Sequence, residues 1–171
     1  MTFSLYAATI PSYLQIVGAV DALVDKAVAF CAETGTSEND LIMARLVDDM
    51  LPFGYQVKSV AEHSIGAIEG VRAGNYSPDT GPFPMDFAGL KAKLAHAQAF
   101  LTALDPAEIN GFIGRDMRFE FRDLRLNFTA ENFLRRSRSP ASSSPRSPSR
   151  SSPARRWTSA GTVRQWRRTT A

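Results

Sequence analysis

The chain has a single cysteine, Cys31, and two histidines, His63 and His96. A lone thiol excludes any intrachain disulfide and fits a reducing compartment, so a cytoplasmic setting is expected. Two histidines do not make a zinc or nickel centre by themselves, because such sites need three or four ligands converging at about 2 Å. There is no glycine-rich phosphate loop and no defensible Ser/His/Asp arrangement. Residues 2–20 carry no charge, yet they include Thr2, Ser4, Tyr6, Thr9, Pro11, Ser12, Tyr13 and Gln15 and have no basic region ahead of them. Neither a signal peptide nor a membrane span is expected from that stretch.

Acidic residues are absent from 135–171, which holds ten arginines; all 17 acids and the other ten basic residues lie in 1–134. The two pieces carry net charges of +10 and −7, so the whole-chain value of +3 averages two unlike segments. A length of 171 residues with 44% apolar content suits one folded domain, placed at 1–134, followed by a tail at 135–171.

Within 1–134 the dominant pattern is helical. Ile10, Tyr13, Val17, Val20, Val24, Ala27 and Cys31 recur at steps of three and four. They form one stripe of a long helix that ends before Gly35, with Pro11 in its first turn or at a kink. Ser37 and Asp40 form a capping pair for a short helix through Leu41, Ile42 and Leu46. Phe53, Val57, Val60, Ser64, Ala67 and Val71 mark a second long helix, broken at Gly74 and the loop NYSPDTGPFP. A third carries Phe87, Leu90, Leu94, Ala97, Leu101 and Leu104, with the Asp-Pro pair at 105–106 as its stop.

The period then falls to two. In MRFEFRDLRLNF, Met117, Phe119 and Phe121 alternate with polar residues, as do Leu124, Leu126 and Phe128. This predicts a β-hairpin turning at Arg122-Asp123, although that turn lacks the usual Asn-Gly or Asp-Gly. Thr129 is expected to cap a new helix, TAENFL, which breaks off after little more than a turn. Three long amphipathic helices call for a fourth to cover their apolar stripes.

From Arg135 onward the text is Arg, Ser and Pro, with no Leu, Ile, Phe, Met or Lys. Such a composition predicts disorder, because it cannot bury enough apolar surface to offset chain entropy. Taken at face value it is a basic arm for nucleic acid. Arg135, Arg136, Arg138, Arg146 and Arg150 would meet phosphates, and Trp157 and Trp166 would stack on bases. The favoured reading is instead a frame-shifted translation of the missing helix. Most serine codons begin TC, so read one base earlier they end in TC and encode Phe, Leu, Ile or Val. Ten arginines without a lysine also suit the shadow of a GC-rich gene.

Three segments carry a resemblance: MTFSLYAATIP at the start, ARLVDDMLPFGYQV at 44–57 and LRLNFTAENFL at 124–134. Over about 1–134 the chain resembles a family of unknown function within the DinB/YfiT-like helical bundles, many of them metal-dependent enzymes. The resemblance implies an all-α, DinB-like four-helix bundle with a small β-hairpin, its last helix truncated or replaced by the tail. It also implies a divalent metal held by three histidines on the inner faces, of which this chain has two. His63 lies beside the Val60/Ser64 stripe, whereas His96, two residues from Leu94, faces water. His63 is thus the candidate metal ligand, with Asp49 or Glu62 needed as helpers; the ordinary alternative is a boundary histidine.

Carried from the same resemblance, Arg45, Asp49 and Gln56 would form a polar cluster at the bundle mouth that orients a small ligand. The plainer reading of Arg45 and Asp49, four residues apart, is a helix-surface ion pair. Asp48 and Asp49 make no acid/base pair, since neighbouring helical residues point apart. Cys31 sits on an apolar stripe, where a thiol is inert packing. A bundle missing one wall exposes a groove of some hundreds of Å², which predicts homodimerisation or aggregation through that face.

Overall fold

In the computed structural model, residues 3–137 are described. The expectations for the tail beyond Ser137, including Arg138, Arg146, Arg150, Trp157 and Trp166, lie outside the described residues.

The first stripe becomes α1 (Leu5–Thr34). The Ser4 hydroxyl accepts from the Ala7 N–H at its start, and Gly35, at φ 71°, returns its N–H to the Cys31 carbonyl. Ile10, Tyr13, Val17, Val24 and Ala27 are buried, while Val20 and Cys31 are half-covered. The helix begins earlier than Pro11 suggests. Proline occupies the second turn on the exposed side, where the Ala7 carbonyl it leaves unbonded can face water.

The Ser37 cap is present, with its hydroxyl accepting from the Asp40 N–H at 3.1 Å, and opens α2 (Glu38–Met43). That helix stops at Met43 and does not reach Leu46, which is 88% exposed. The chain turns instead, and the Phe53 N–H bonds the Ala44 carbonyl at 2.9 Å to close the 44–53 loop.

The second stripe is α3 (Phe53–Ala73), and the third is α4 (Phe87–Thr102), capped by Asp86. Leu104 is buried but lies past the end of α4. The Asp-Pro pair that ends α4 also starts α5 (Pro106–Asn110), because the Asp105 carboxylate accepts from the Ala107 N–H and Pro106 suits a first turn.

The relative directions of the helices follow from side-chain pairs. Lys93 meets Glu62 at 2.5 Å and the Arg72 guanidinium stacks over Phe100, so α3 and α4 run the same way. Asn110, at the end of α5, accepts from Ser4 and Tyr6 in the first turn of α1. Lys91, early in α4, pairs with Asp21 and Asp25 in the second half of α1. Hence α1 runs against both of the others.

The hairpin consists of β2 (Asp116–Phe121) and β3 (Leu124–Thr129), antiparallel with Phe121 opposite Leu124. Its two-residue turn sets Arg122 at φ 53°, the first-position positive φ of a II′ turn, which glycine normally supplies. A third strand completes the sheet: β1 (Asn75–Tyr76), inside the predicted loop, pairs parallel to β2. The chain is therefore mostly helical with a small three-stranded sheet, ordered β1-β2-β3.

The final element, α6 (Ala130–Arg136), follows Thr129 as expected, but the threonine hydroxyl does not cap the backbone and accepts from the Asn132 side chain instead. The helix takes in Arg135 and Arg136, two residues the sequence reading assigns to the tail. These cations stand in its last turn, where the helix dipole favours them. Phe133 and Leu134 are buried against α1 and α3, and the Tyr13 hydroxyl donates to the Leu134 carbonyl at 2.7 Å. Among the described residues no helix is long and apolar enough to cross a membrane.

Candidate functional site

Beyond the last turn of α6, no other described residue fills the seam between α1 and α3, which forms a groove of about 610 Å³. Tyr13 and Ile16 of α1 form one wall, Phe119 and Phe121 of β2 another, and Val47, Met50 and Leu51 of the 44–53 loop close one end. Along α3 the groove is lined by Gln56, Ser59 and His63, spaced by three and four residues and hence on one helical face.

Tyr76 fixes this geometry. Its ring lies edge-on to His63 at 6.3 Å between centroids, and packs on Phe119 at 6.0 Å and Phe133 at 5.4 Å. The ring comes this close to α3 because Gly66 and Gly70 present no side chain. A Cβ at either position would lie 2.7 Å from a Tyr76 carbon. Burial pushes the Tyr76 phenol far above its ordinary range, so it stays neutral.

Burial likewise pushes the His63 imidazole below 6.5; Glu62 opposes the shift and Lys58 adds to it. At pH 7 the ring is therefore neutral, with one nitrogen able to donate and the other to accept. No described residue hydrogen-bonds to it. Ser59, one turn away, makes no hydrogen bond with His63, so nothing here activates the hydroxyl as a nucleophile.

Of the residues singled out from the sequence, Asp49, Gln56 and His63 line this groove. Arg45 does not. It lies outside any helix, exposed, with its guanidinium 3.4 Å from the Asp48 carbonyl, so the expected helical pairing with Asp49 is absent. Gln56 donates to the Leu51 carbonyl at 3.4 Å, a long contact at the end of the groove. Ser59 was missed, although its place between Gln56 and His63 on one face was legible. His96 is exposed on α4, and Glu62 is held by Lys93.

Among the described residues no three His, Cys, Asp or Glu side chains gather as metal ligands. The three-histidine centre implied by the DinB resemblance does not fit the residues present, since the chain has only His63 and His96. Of the arginines considered for nucleic acid, Arg135 and Arg136 are described, both exposed at the end of α6.

A second buried polar feature lies on another face of α3. The Lys58 side chain, only 2% exposed, reaches Asp79 and the Gly81 carbonyl, both at 2.7 Å, and its ammonium sits 5.9 Å from the Tyr55 ring centroid. Lys58 thereby straps the 77–86 loop onto α3. The pairing holds the Asp79 carboxyl below the usual carboxylate range.

These features define a small, mostly helical protein whose described residues form an amphipathic groove between α1, α3 and the hairpin. The chain belongs to the family described as Domain of unknown function (DUF1993), whose model matches residues 5–142. The match starts with the first residue of α1 and runs past Leu134. No curated protein matches the chain.

Proposed function

We propose that this protein binds a small neutral molecule in the groove between α1, α3 and the hairpin. The observation that carries the reading is the His63 imidazole, neutral, half-buried and without a hydrogen-bond partner among the described residues, on the same face as Ser59 and Gln56. Apolar walls with a few convergent polar groups are the usual make-up of a ligand site. Every polar group on the α3 face is uncharged at pH 7, and Asp49 is the acid at the end. A flat apolar body with an amide or hydroxyl group matches that lining, because it can both donate to and accept from Ser59 and His63. In this reading Asp49, Gln56 and His63, which line the groove, contact the ligand, and Arg45 takes no part.

The test is an NMR titration with benzamide, benzoate and benzylamine as probes. Benzamide is expected to shift the His63 ring and Ser59 amide signals saturably, and His63→Phe to abolish the response. Equal, non-saturating shifts from all three probes would overturn the reading.

The fold reading that accompanies this proposal is a DinB-like four-helix bundle in which α6 is the start of the fourth helix. It is supported by the way α6 sits in the α1/α3 seam and ends beside the groove, which Ser137 lines. The Arg/Ser/Pro text that follows is then a shifted reading of the remaining helix. Reading the gene one base earlier after Leu134 should yield an open apolar helix; stop codons there would refute it.

A further inference from the structure

We infer that Lys58 is a positioning residue for the groove: its ion pair fixes Thr80 in the groove wall, where the Thr80 hydroxyl serves a bound ligand as a further hydrogen-bonding group. The role toward a ligand rests on the reading proposed above; the fixing of Thr80 does not. Pro78 and Thr80 line the groove, and each is next in sequence to a residue that Lys58 holds. The ammonium meets the Asp79 carboxylate and the Gly81 carbonyl, both at 2.7 Å, and the Gly81 N–H donates to the other Asp79 oxygen, also at 2.7 Å. Thr80 thus stands between two tied neighbours. Its hydroxyl hydrogen-bonds to no described residue. It adds a neutral donor and acceptor to those of Gln56 and Ser59 on the same groove.

The burial of Lys58 argues for position over stability. Its side chain is 2% exposed whereas that of Asp79 is 51% exposed, so the pair carries the desolvation of an ammonium without the gain of a fully sheltered partner. A methionine of similar length would cover the same apolar surface without that penalty. What methionine lacks is a hold on Asp79 and the Gly81 carbonyl. The ends of the segment are secured by other means. Tyr76 pairs with Phe119 in the sheet, and Phe83 lies edge-on to Tyr55 at 6.2 Å, seated at Gly54, where a Cβ would stand 2.9 Å from its ring. Loss of the ammonium therefore loosens 77–82 alone, and Thr80 lies in the middle of that stretch.

Two NMR measurements on the full chain test this. Without ligand, the Thr80 amide is expected to show an order parameter of about 0.85 in the parent protein and below about 0.6 in Lys58→Met, with the helices unchanged. Lys91→Met, which cuts the ion pairs to Asp21 and Asp25, should leave Thr80 ordered. With benzamide as the probe, Thr80→Val should weaken binding about three- to tenfold, the worth of one hydrogen bond. Lys58→Met should weaken it to a similar extent, and the double variant no further, because Lys58 acts through Thr80. Order at Thr80 that survives Lys58→Met would overturn the inference. So would losses that multiply in the double variant, or a Thr80→Val protein that binds as the parent does. If the parent itself fails to bind benzamide while Lys58→Met still frees Thr80, the ligand reading falls and the positioning by Lys58 stands.

Discussion

Replacing Gly70 with alanine adds one methyl group to the middle of a helix, a change that ordinarily stabilises by about 1 kcal/mol. Here the structure sets a larger opposing effect. The new Cβ would stand 2.7 Å from the Tyr76 Cβ and 3.2 Å from the Asn75 carbonyl oxygen, whereas carbon atoms in contact prefer about 3.5–4.0 Å. The obstruction includes backbone, and the backbone cannot simply withdraw: Asn75 and Tyr76 pair with Arg118 and Phe119, and the Gly74 carbonyl accepts from the Arg118 N–H at 2.9 Å. Overpacking of this kind costs about 1–3 kcal/mol, and the tied strand places Gly70→Ala toward the upper end. Net destabilisation of about 1–2 kcal/mol is expected, a fall of several degrees in Tm. Gly18→Ala is the control, because that position is exposed on α1 with nothing within 4 Å of a Cβ. It should gain about 1 kcal/mol. Urea denaturation followed by circular dichroism reads both. If Gly70→Ala stabilises as Gly18→Ala does, Tyr76 is not seated on α3, and the support for His63 described above is wrong.

Arg122→Gly relieves the positive φ at the hairpin turn and should stabilise by up to about 1 kcal/mol in the same assay. Tyr13→Phe deletes the donor to the Leu134 carbonyl and should cost about 1–2 kcal/mol, with faster amide exchange confined first to α6. His63 predicts a pH slope. Its folded pKa is lowered, so the unfolded imidazole takes up a proton near 6.5 while the folded one resists, and stability is lost as pH falls from about 6.5 toward the folded value. His63→Phe should flatten that part of the profile and leave stability above pH 7 without the slope. Asp79 acts lower on the scale: its contribution is present above 3.8 and disappears as pH falls through its depressed folded pKa, a step that Lys58→Met should remove.

The long helices were legible because Ile10, Tyr13, Val17 and Val24, or Leu90, Leu94 and Leu101, repeat at the spacing of one helical face, and burial follows that face. The hairpin was legible from alternation alone, even with arginine where glycine is usual. What escaped depends on tertiary contacts. Asn75 and Tyr76 read as loop because a two-residue strand has no period; it forms because Gly66 and Gly70 flatten α3 beneath it. The Asp105-Pro106 pair reads as a stop, yet the same chemistry caps a helix start. Arg45 and Asp49 were placed on a helix because the capping pair at Ser37 opens one, and nothing local in the sequence marks its end at Met43. The burial of Lys58 likewise depends on partners from a distant loop, Asp79 and the Gly81 carbonyl. For the groove, Gln56 came from the resemblance and His63 from its place beside the Val60/Ser64 stripe; both line it, while its walls come from distant segments that no local pattern links.

The most direct test of the account is whether the floor of the groove is open. In a chain carrying Cys31→Ser and Ser59→Cys, the single thiol lies on that floor, and Cys31→Ser with Thr9→Cys gives a buried reference away from the groove. A small neutral maleimide is expected to label position 59 nearly as fast as an unfolded thiol, and position 9 far more slowly. Equal protection of both positions would mean that the seam is covered, and the open groove would have to be abandoned.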